Sequence, residues 1–313
     1  MKAGLMETQL TTKSKVESYI SLAAFILISA SALFVFTVPF TWGLFWLAVA
    51  SYFVRMFAVT GVYHRYFSHN AYKTSRVMQF ILGWLACTTQ QKGPLWWAAH
   101  HRMHHKYSDT DKDLHSPKLT GFWNSHMLWF LKMENDAYDI KLVKDYAKYP
   151  EIVWLDKYHW VPALVFAIIL GMFGFPALVY GYAVATFFLG HGTWTINSLT
   201  HIIGKPRFDA GDESKNNWFL AIITMGEGWH NNHHYYRHSA NQGFYWYEYD
   251  FTYYILKLMS FVGLVWDLKK PPVHVLEEGM KLDALRKGKK EFKNLSGEWV
   301  PVTVRIPRAQ TST

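Results

Sequence analysis

The chain has 313 residues, half of them hydrophobic, and a formal net charge of +9 at neutral pH. Its single cysteine, Cys87, excludes a disulfide scaffold and a cysteine-based zinc or iron–sulfur site. No Asp, Glu, Lys or Arg occurs in residues 18–54 or 158–204. A soluble domain of this size carries about 25% charged residues spread over its surface, so two such gaps exclude an ordinary water-soluble globule.

Each uncharged window is long enough for two membrane crossings. A helix rises about 1.5 Å per residue and the hydrocarbon core is about 30 Å thick, so one crossing needs about 20 residues. Proline and glycine residues divide each window near its middle. The sequence therefore predicts four membrane-spanning helices, at about 19–38, 42–63, 159–175 and 178–200.

The positive charges predict how these helices are oriented. Lys and Arg lie in the N-terminal tail, the central loop and the segment after residue 204, apart from Arg55 near one end of the second helix. The positive-inside rule then places both termini and the central loop in the cytoplasm, and Arg55 is expected to snorkel toward that side. The predicted organisation is a cytosolic tail (1–18), a membrane domain (19–266) and a second cytosolic tail (267–313).

The same distribution bears on partners and location. A basic surface on one side of a membrane protein is expected to face the anionic lipid head groups of the bilayer. Nucleic acid is therefore not an expected partner, although the overall charge is positive. The C-terminal tail shows no clear organelle address and the sequence is compact, so a bacterial cytoplasmic membrane is expected in preference to the endoplasmic reticulum.

Histidines form three dense groups: HRYFSH at 64–69, HHRMHH at 100–105 and HNNHH at 230–234. Residues at i, i+3 and i+4 share one face of a helix, so the second and third groups each predict a face of three imidazoles. In the first group the two histidines are five residues apart, about 140° around an α-helix. They must therefore straddle a helix end or serve two different metals.

The number of imidazoles points to a two-metal site. They exceed the needs of one tetrahedral zinc ion, and the sequence contains no HExxH zinc-hydrolase motif. Imidazole suits iron, copper, zinc and nickel, so the chemistry alone leaves the metal open. A non-enzymatic metal or pH sensor in the membrane stays an alternative.

The three groups, together with NSLTH at 197–201, resemble the histidine boxes of the membrane fatty acyl desaturases, in particular the Δ9 stearoyl-CoA desaturase type. The resemblance covers about residues 20–266 in order. It implies an all-α fold with four transmembrane helices under a cytosolic helical cap, and a centre of two ferrous ions. By motif it implies nine histidine ligands and one asparagine that acts through a water: His64, His69, His101, His104, His105, His201, His230, His233, His234 and Asn197.

The resemblance also implies a reaction. It would be the O2-dependent insertion of a cis double bond, at Δ9, into a saturated C16 or C18 acyl chain, with two external electrons and no protein nucleophile. The chain lacks the haem-binding motif HPGG, so a separate ferredoxin, cytochrome b5 or reductase is expected to supply the electrons. A histidine-box hydroxylase of alkyl or lipid chains is the alternative enzyme.

Substrate contacts are implied position by position. The stretch KGPLWWAAHH lacks the Arg and Asp that bind CoA in the animal enzymes, which leaves acyl-CoA and acyl-lipid substrates both open. A bulky residue at the closed end of the acyl tunnel, Met56, predicts a preference for palmitoyl over stearoyl chains. The implied tunnel residues are Gln91, Trp97, Thr193 and Trp194 at the bend, with Tyr52 and Met56 at the closed end.

Carboxylates are expected around the histidines. A metal-bound imidazole usually donates its second N–H to an acceptor that fixes the orientation of the ring. The acidic residues nearest to the histidine groups in sequence are the candidates for this role: Asp109, Asp111, Asp113 and Glu227.

Overall fold

The computed structural model describes residues 12–302, which are mostly helical. The α-helices are α1 (Thr12–Ser31), α2 (Trp42–Phe57), α3 (Arg76–Cys87), α4 (Pro94–Tyr107), α5 (Pro117–Thr120), α6 (Lys144–Ala147), α7 (Pro150–Lys157), α8 (Trp160–Met172), α9 (Phe175–Leu178), α10 (Ala185–Ile202), α11 (Trp218–Ile223), α12 (His230–Tyr235), α13 (Phe251–Phe261) and α14 (Val273–Arg286). π-Helices span Ala58–Ser68, Asn124–Leu128 and Val179–Val184, and 3-10 helices span Ala32–Thr37, Trp129–Leu131, Met133–Asp136 and Ile140–Val143.

The predicted all-α fold needs one small amendment, because the described residues also form two short antiparallel sheets. In the first, β1 (Lys73–Thr74) pairs with β2 (Val265–Trp266). In the second, β3 (Glu291–Lys293) pairs with β4 (Trp299–Pro301). Both sheets lie outside the segments that were predicted to cross the membrane.

Helix starts follow local sequence. Proline occupies the first turn of α4 and α7, where its missing N–H would have no partner in any case. Asp250 caps α13, since its carboxylate accepts the backbone N–H of Tyr253 at 2.9 Å. Thr41 caps α2 in the same way, through Leu44 N at 3.2 Å.

Within residues 12–302, two helices are long and apolar enough to cross a membrane, Val16–Thr37 and Trp42–Ser68. A third crossing is possible if α7 and α8, which are bent by 69° relative to each other, form one broken span. The fourth predicted segment falls within a continuous helical run, residues 175–202, made of α9, a π-helix and α10. Length and composition therefore support two spans, or up to three, and the four-span topology stays a prediction.

The expectation that Arg55 snorkels to the membrane surface is wrong. Its side chain is 1% exposed and donates hydrogen bonds to Thr186 Oγ1 at 2.7 Å and to the carbonyl of Ser51 at 3.2 Å. The guanidinium also lies 5.2 Å from the ring centroid of Phe166. Acceptors inside the helix bundle thus replace the water that snorkelling would have reached.

The main hydrophobic core surrounds the second helix. α2 continues without a break into the π-helix Ala58–Ser68, so this helix extends five residues beyond the predicted end at residue 63. All eleven residues of the π-helix are buried. It packs against α3 and α4, and this packing brings the first two histidine groups together.

Candidate metal centre

The first histidine pair lies at the end of the π-helix. His64 is within it and His69 is its C-cap residue, so the pair does straddle a helix end. A π-helix closes its hydrogen bonds between residues five apart, which brings such residues to the same side. The two ring centroids are 4.9 Å apart, and both side chains belong to one cluster instead of serving two metals.

Five histidines form the first cluster, and their ring nitrogens converge. The Nε2 atoms of His64 and His233 are 2.9 Å apart, and those of His69 and His101 are 2.8 Å apart. His105 Nε2 lies 2.8 Å from His233 Nε2 and thereby closes the group. Its members are His64, His69, His101, His105 and His233, with ligand atoms within 4.8 Å of one another.

Four histidines form the second cluster. The Nε2 atoms of His201 and His230 are 3.1 Å apart. His234 Nε2 is buried and has no hydrogen-bond partner among the described residues. The cluster consists of His104, His201, His230 and His234. The nine histidines implied by the resemblance are therefore all brought into two groups that could each hold a metal ion.

Each predicted three-imidazole face is divided between the clusters. On α4, His101 and His105 point to the first cluster and His104 to the second. On α12 the arrangement is reversed, since His230 and His234 point to the second cluster and His233 to the first. Residues i and i+4 are about 40° apart on a helix, whereas i+3 and i+4 are about 100° apart, so the i, i+4 pair stays together.

Burial favours the neutral form of three of these imidazoles. Desolvation lowers the pKa of His101, His105 and His230 well below the ordinary value, and the neighbouring imidazoles lower it further. Metal ions bind the neutral form of histidine, because a protonated ring has no free lone pair. Convergent Nε2 atoms and the unpartnered His234 Nε2 are thus a donor set that fits two metal ions.

Three of the predicted carboxylates lie against the Nδ1 atoms of histidine rings. Asp113 contacts His104 at 3.1 Å, and Asp109 contacts His201 at 3.1 Å. In the other cluster, Glu227 Oε2 lies 2.6 Å from His64 Nδ1. The structure therefore places three of the four predicted carboxylates against histidines. The fourth, Asp111, is exposed and outside every His/Asp/Glu cluster of the described residues, since it lies on the outer side of the turn after α4.

Two further residues at the site were missed by sequence reasoning. Asp212 Oδ2 lies 2.5 Å from His234 Nδ1, and Gln242 Nε2 donates to Glu227 Oε2 at 3.0 Å. Burial by itself would raise the pKa of the Asp212 carboxyl, yet its interaction with His234 lowers it below the usual range. Asp212 is 22 residues from its histidine, and no local spacing signals such a contact.

Removing the Asp212 carboxylate should weaken metal binding. In D212N the amide can no longer act as an anionic acceptor for His234, and losses of such partners typically cost 10–100-fold, roughly, in metal affinity. Ferrous iron titrated against a competing chelator measures the change. D111N is the matched control and should bind like the wild type; equal binding by D212N and D111N would contradict the role of Asp212.

A cavity of about 440 Å³ lies beside the first cluster. Helix α1 forms one wall, α4 and α10 contribute others, and His101 reaches its inner surface. Four residues implied by the resemblance to bend the acyl chain line it: Gln91, Trp97, Thr193 and Trp194. Asn197 lines this cavity and a smaller one that His104 and His230 also line.

Tyr52 and Met56, expected at the closed end, do not line the large cavity. Both contact α10 at Gly192, where an added Cβ would lie 2.9 Å from Met56 Cε. Gly192 precedes Thr193 of the cavity wall. Tyr52 and Met56 therefore contact the wall helix α10 next to the lining residue Thr193, on the side away from the cavity.

The comparisons with known proteins agree with this geometry. Residues 40–259 match the family model described as fatty acid desaturase. This chain belongs to the fatty acid desaturase family. An acyl-CoA 5-desaturase from Anemone leveillei is 37% identical over 74% of both chains. An sn-1 stearoyl-lipid 9-desaturase from Anabaena variabilis is 34% identical over 83% of this chain and 96% of its own length.

The family match confirms the predicted resemblance and supports an oxidoreductase of lipid metabolism. It does not single out one reaction within the family. A palmitoyl-monogalactosyldiacylglycerol delta-7 desaturase from Arabidopsis thaliana is also 36% identical, over 74% of this chain and 64% of the relative. The relatives thus differ in the position of the double bond and in the group that carries the acyl chain.

Proposed function

We propose that this protein inserts a cis double bond at Δ9 of a saturated C16 or C18 acyl chain. It would use two ferrous ions, O2 and two electrons from a separate ferredoxin, cytochrome b5 or reductase. One observation carries the proposal: an apolar-walled cavity leads to a histidine of the first of two adjacent histidine clusters. The 9-desaturases among the relatives support the bond position.

The proposal includes the membrane arrangement. Four crossings would place both tails (1–18 and 267–313) and the histidine clusters on the cytoplasmic side of the domain 19–266, in a bacterial cytoplasmic membrane. The apolar helices Val16–Thr37 and Trp42–Ser68 support two of these crossings. Residues 1–11 and 303–313 lie outside the described residues.

The overall reaction balances with one O2. Two hydrogens leave adjacent methylenes of the acyl chain, and two electrons and two protons come from outside, so that one C=C bond and two waters form. Iron, when bound, would supply the reductive activation of O2 that an unactivated methylene requires. The protein's own contribution is placement of the chain.

Residues of the cavity wall are fixed against the first cluster. The Trp97 indole stacks on the His101 ring, with centroids 5.0 Å apart and an interplanar angle of 23°. Gln91 Nε2 donates to Thr193 Oγ1 at 2.8 Å and so joins the loop before α4 to α10. A methylene held against Trp97 would thus lie beside the histidines, which supports these residues as the ones that position the reacting carbons.

The polar part of the cavity favours an acyl-lipid over an acyl-CoA. Among the described lining residues, Lys92 is the one lysine or arginine, and it forms an ion pair with Asp136. Asp136 also accepts the Ser18 hydroxyl at 2.5 Å. Burial lowers the pKa of His100, another lining residue, to about 4, so this ring is neutral. A charge-balanced lining suits a glycerolipid ester better than the phosphates of CoA.

Expression in a host that lacks unsaturated fatty acids tests the proposal. A cis double bond at Δ9 in the C16 or C18 chains of extracted lipids is the expected product. Purified enzyme given a reductant, O2 and either palmitoyl-CoA or a palmitoyl glycerolipid then separates the two substrates. An alcohol product would establish the alternative hydroxylase, and unchanged lipids with a working electron donor would refute the desaturase.

The preference of the enzyme for C16 or C18 acyl chains should depend on Met56, which is fully buried against Gly192. M56A removes bulk behind the cavity wall, and two further methylenes there are worth about 1.5 kcal/mol, or about tenfold. We therefore expect the product ratio to shift from C16 toward C18 by up to that factor. M56L keeps the volume and is the control; an unchanged ratio in M56A with wild-type metal content would exclude this role.

A further inference from the structure

The last described helix, α14 (Val273–Arg286), packs on the segment that carries the third histidine box. It begins 14 residues beyond the end of the family match at residue 259. The box itself is α12, which has only six residues. A helix this short is not stable alone in water, so its position depends on what it packs against.

The two asparagines inside HNNHH hold α12 in place through hydrogen bonds to residues outside the histidine clusters. Asn231 and Asn232 are fully buried. Asn231 Oδ1 accepts the backbone N–H groups of Arg207 at 2.6 Å and Phe208 at 2.7 Å. Asn232 Oδ1 accepts Nη1 of Arg207 at 3.0 Å, while its Nδ2 donates to Glu248 Oε2 at 2.9 Å. Both asparagines therefore depend on the position of Arg207.

Helix α14 holds Arg207 in turn. Asp283 Oδ2 lies 3.1 Å from Arg207 Nε, and Arg286 Nη2 donates to the Arg207 carbonyl at 2.7 Å. Gly279 allows close approach, since a Cβ there would lie 2.8 Å from the Phe208 ring and 3.1 Å from Arg207 Cδ. Helix α14 thus contacts Arg207 through an ion pair at Asp283 and through close packing at Gly279.

A second set of contacts joins α14 directly to the end of α12. The Tyr235 hydroxyl donates to Glu278 Oε2 at 2.6 Å. The Tyr235 ring stacks on Phe208 with centroids 4.2 Å apart, and Phe208 belongs to a small hydrophobic cluster with Val275 of α14. The contacts at both ends of α12 therefore lead to the same helix.

We propose that α14 acts as a clamp that positions the third histidine box for metal binding, with Arg207 and Asp283 as positioning residues. Helix α12 supplies two of the four histidines of the second cluster but one of the five of the first. Loosening the clamp therefore affects the second cluster more than the first. This inference goes beyond the proposed reaction and rests only on the part of the proposal that the clusters bind metal.

Two variants loosen the clamp independently. D283N removes one of the two carboxylate charges that pair with Arg207, the other being that of Glu248. G279L inserts a side chain where Phe208 and Arg207 lie. E277Q is the matched control on the same helix. Among the described residues, Glu277 accepts a hydrogen bond from the backbone N–H of Leu295 alone, at 3.4 Å, and it does not contact Arg207. D283E, which keeps the charge, should restore the wild-type behaviour.

The measurement is the release of ferrous iron from the full-length, anaerobically loaded protein into a chelator. The wild type should release two ions per chain. In D283N and G279L one ion should leave about tenfold faster, in line with the loss of an outer-sphere partner, while the other keeps its rate. E277Q should release both ions at the wild-type rates.

Other outcomes would contradict the proposal that α14 positions the third histidine box. Wild-type release by D283N and by folded G279L would do so, and if G279L does not fold, D283N decides alone. Equal acceleration of both ions together with a lower melting temperature would show general destabilisation instead. A wild-type protein that binds no metal would refute the proposed function itself, which separates the two failures.

Discussion

Replacing His104 and His105 together should weaken the binding of both ions, whereas replacing His104 and His234 should leave about one ion per chain. His104 and His105 are adjacent in sequence but belong to different clusters, so H104A/H105A damages both. His104 and His234 belong to the same cluster, so H104A/H234A leaves the five histidines of the other cluster intact. Both double variants should lose desaturation by more than about 100-fold.

Metal analysis of purified protein and product analysis in cells check this result. H274A is the control, because His274 is exposed on α14 and outside both clusters. It should bind two ions and keep its activity. One ion bound as in the wild type by H104A/H105A, or both ions lost from H104A/H234A, would contradict the division of each histidine box between two clusters.

The second large effect is expected at Glu227, which is 1% exposed and lies between a histidine and an arginine. Its carboxylate is 2.6 Å from His64 Nδ1, 3.1 Å from Arg65 Nη2 and 3.0 Å from Gln242 Nε2. All three neighbours present donors. An amide has one acceptor oxygen and an N–H group that faces these donors, so E227Q leaves at least one of them unpaired.

E227Q should therefore lower both activity and stability. We expect a loss of desaturation of about 10–100-fold, because His64 is no longer held. Breaking a buried ion pair on one side typically costs about 3–5 kcal/mol, although Asp250 still contacts Arg65 at 2.8 Å and reduces this cost. Product formation and thermal unfolding in detergent measure the two effects.

The control for this variant is E134Q, since Glu134 is exposed on the surface. It should match the wild type in rate and melting temperature. If E227Q also matched the wild type, the carboxylate would have no role in holding His64. A lower melting temperature with an unchanged rate would limit Glu227 to stability alone.

Local sequence patterns predicted the features that depend on residues close together in the chain, such as helix positions. The uncharged windows predicted where apolar helices lie. The spacings within the second and third histidine boxes predicted one three-imidazole face each, and the structure divides each face between two clusters. The pair His64 and His69 shows where such reasoning stops. Its five-residue spacing is awkward on an α-helix, and only the observed π-helix brings both rings into one cluster.

Contacts between distant segments needed the tertiary structure. His201 follows an apolar helix without a neighbouring histidine, and only the family resemblance singled it out. No local sequence pattern indicates that Asp212 contacts a histidine, because its partner His234 is 22 residues away. Arg55 was misjudged for a related reason: its acceptors include Thr186, which lies 131 residues away in sequence.

The sequence by itself determined the class of protein, the nine histidines and the expectation of two metals. These follow from composition, from short spacings and from motifs that resemble a known family. Only the tertiary structure decided which histidines share a cluster, which carboxylates hold them and that the C-terminal helix packs on the third box. The physical reason is that side-chain convergence depends on how helices cross, and crossing is set by packing among residues that are far apart in the chain.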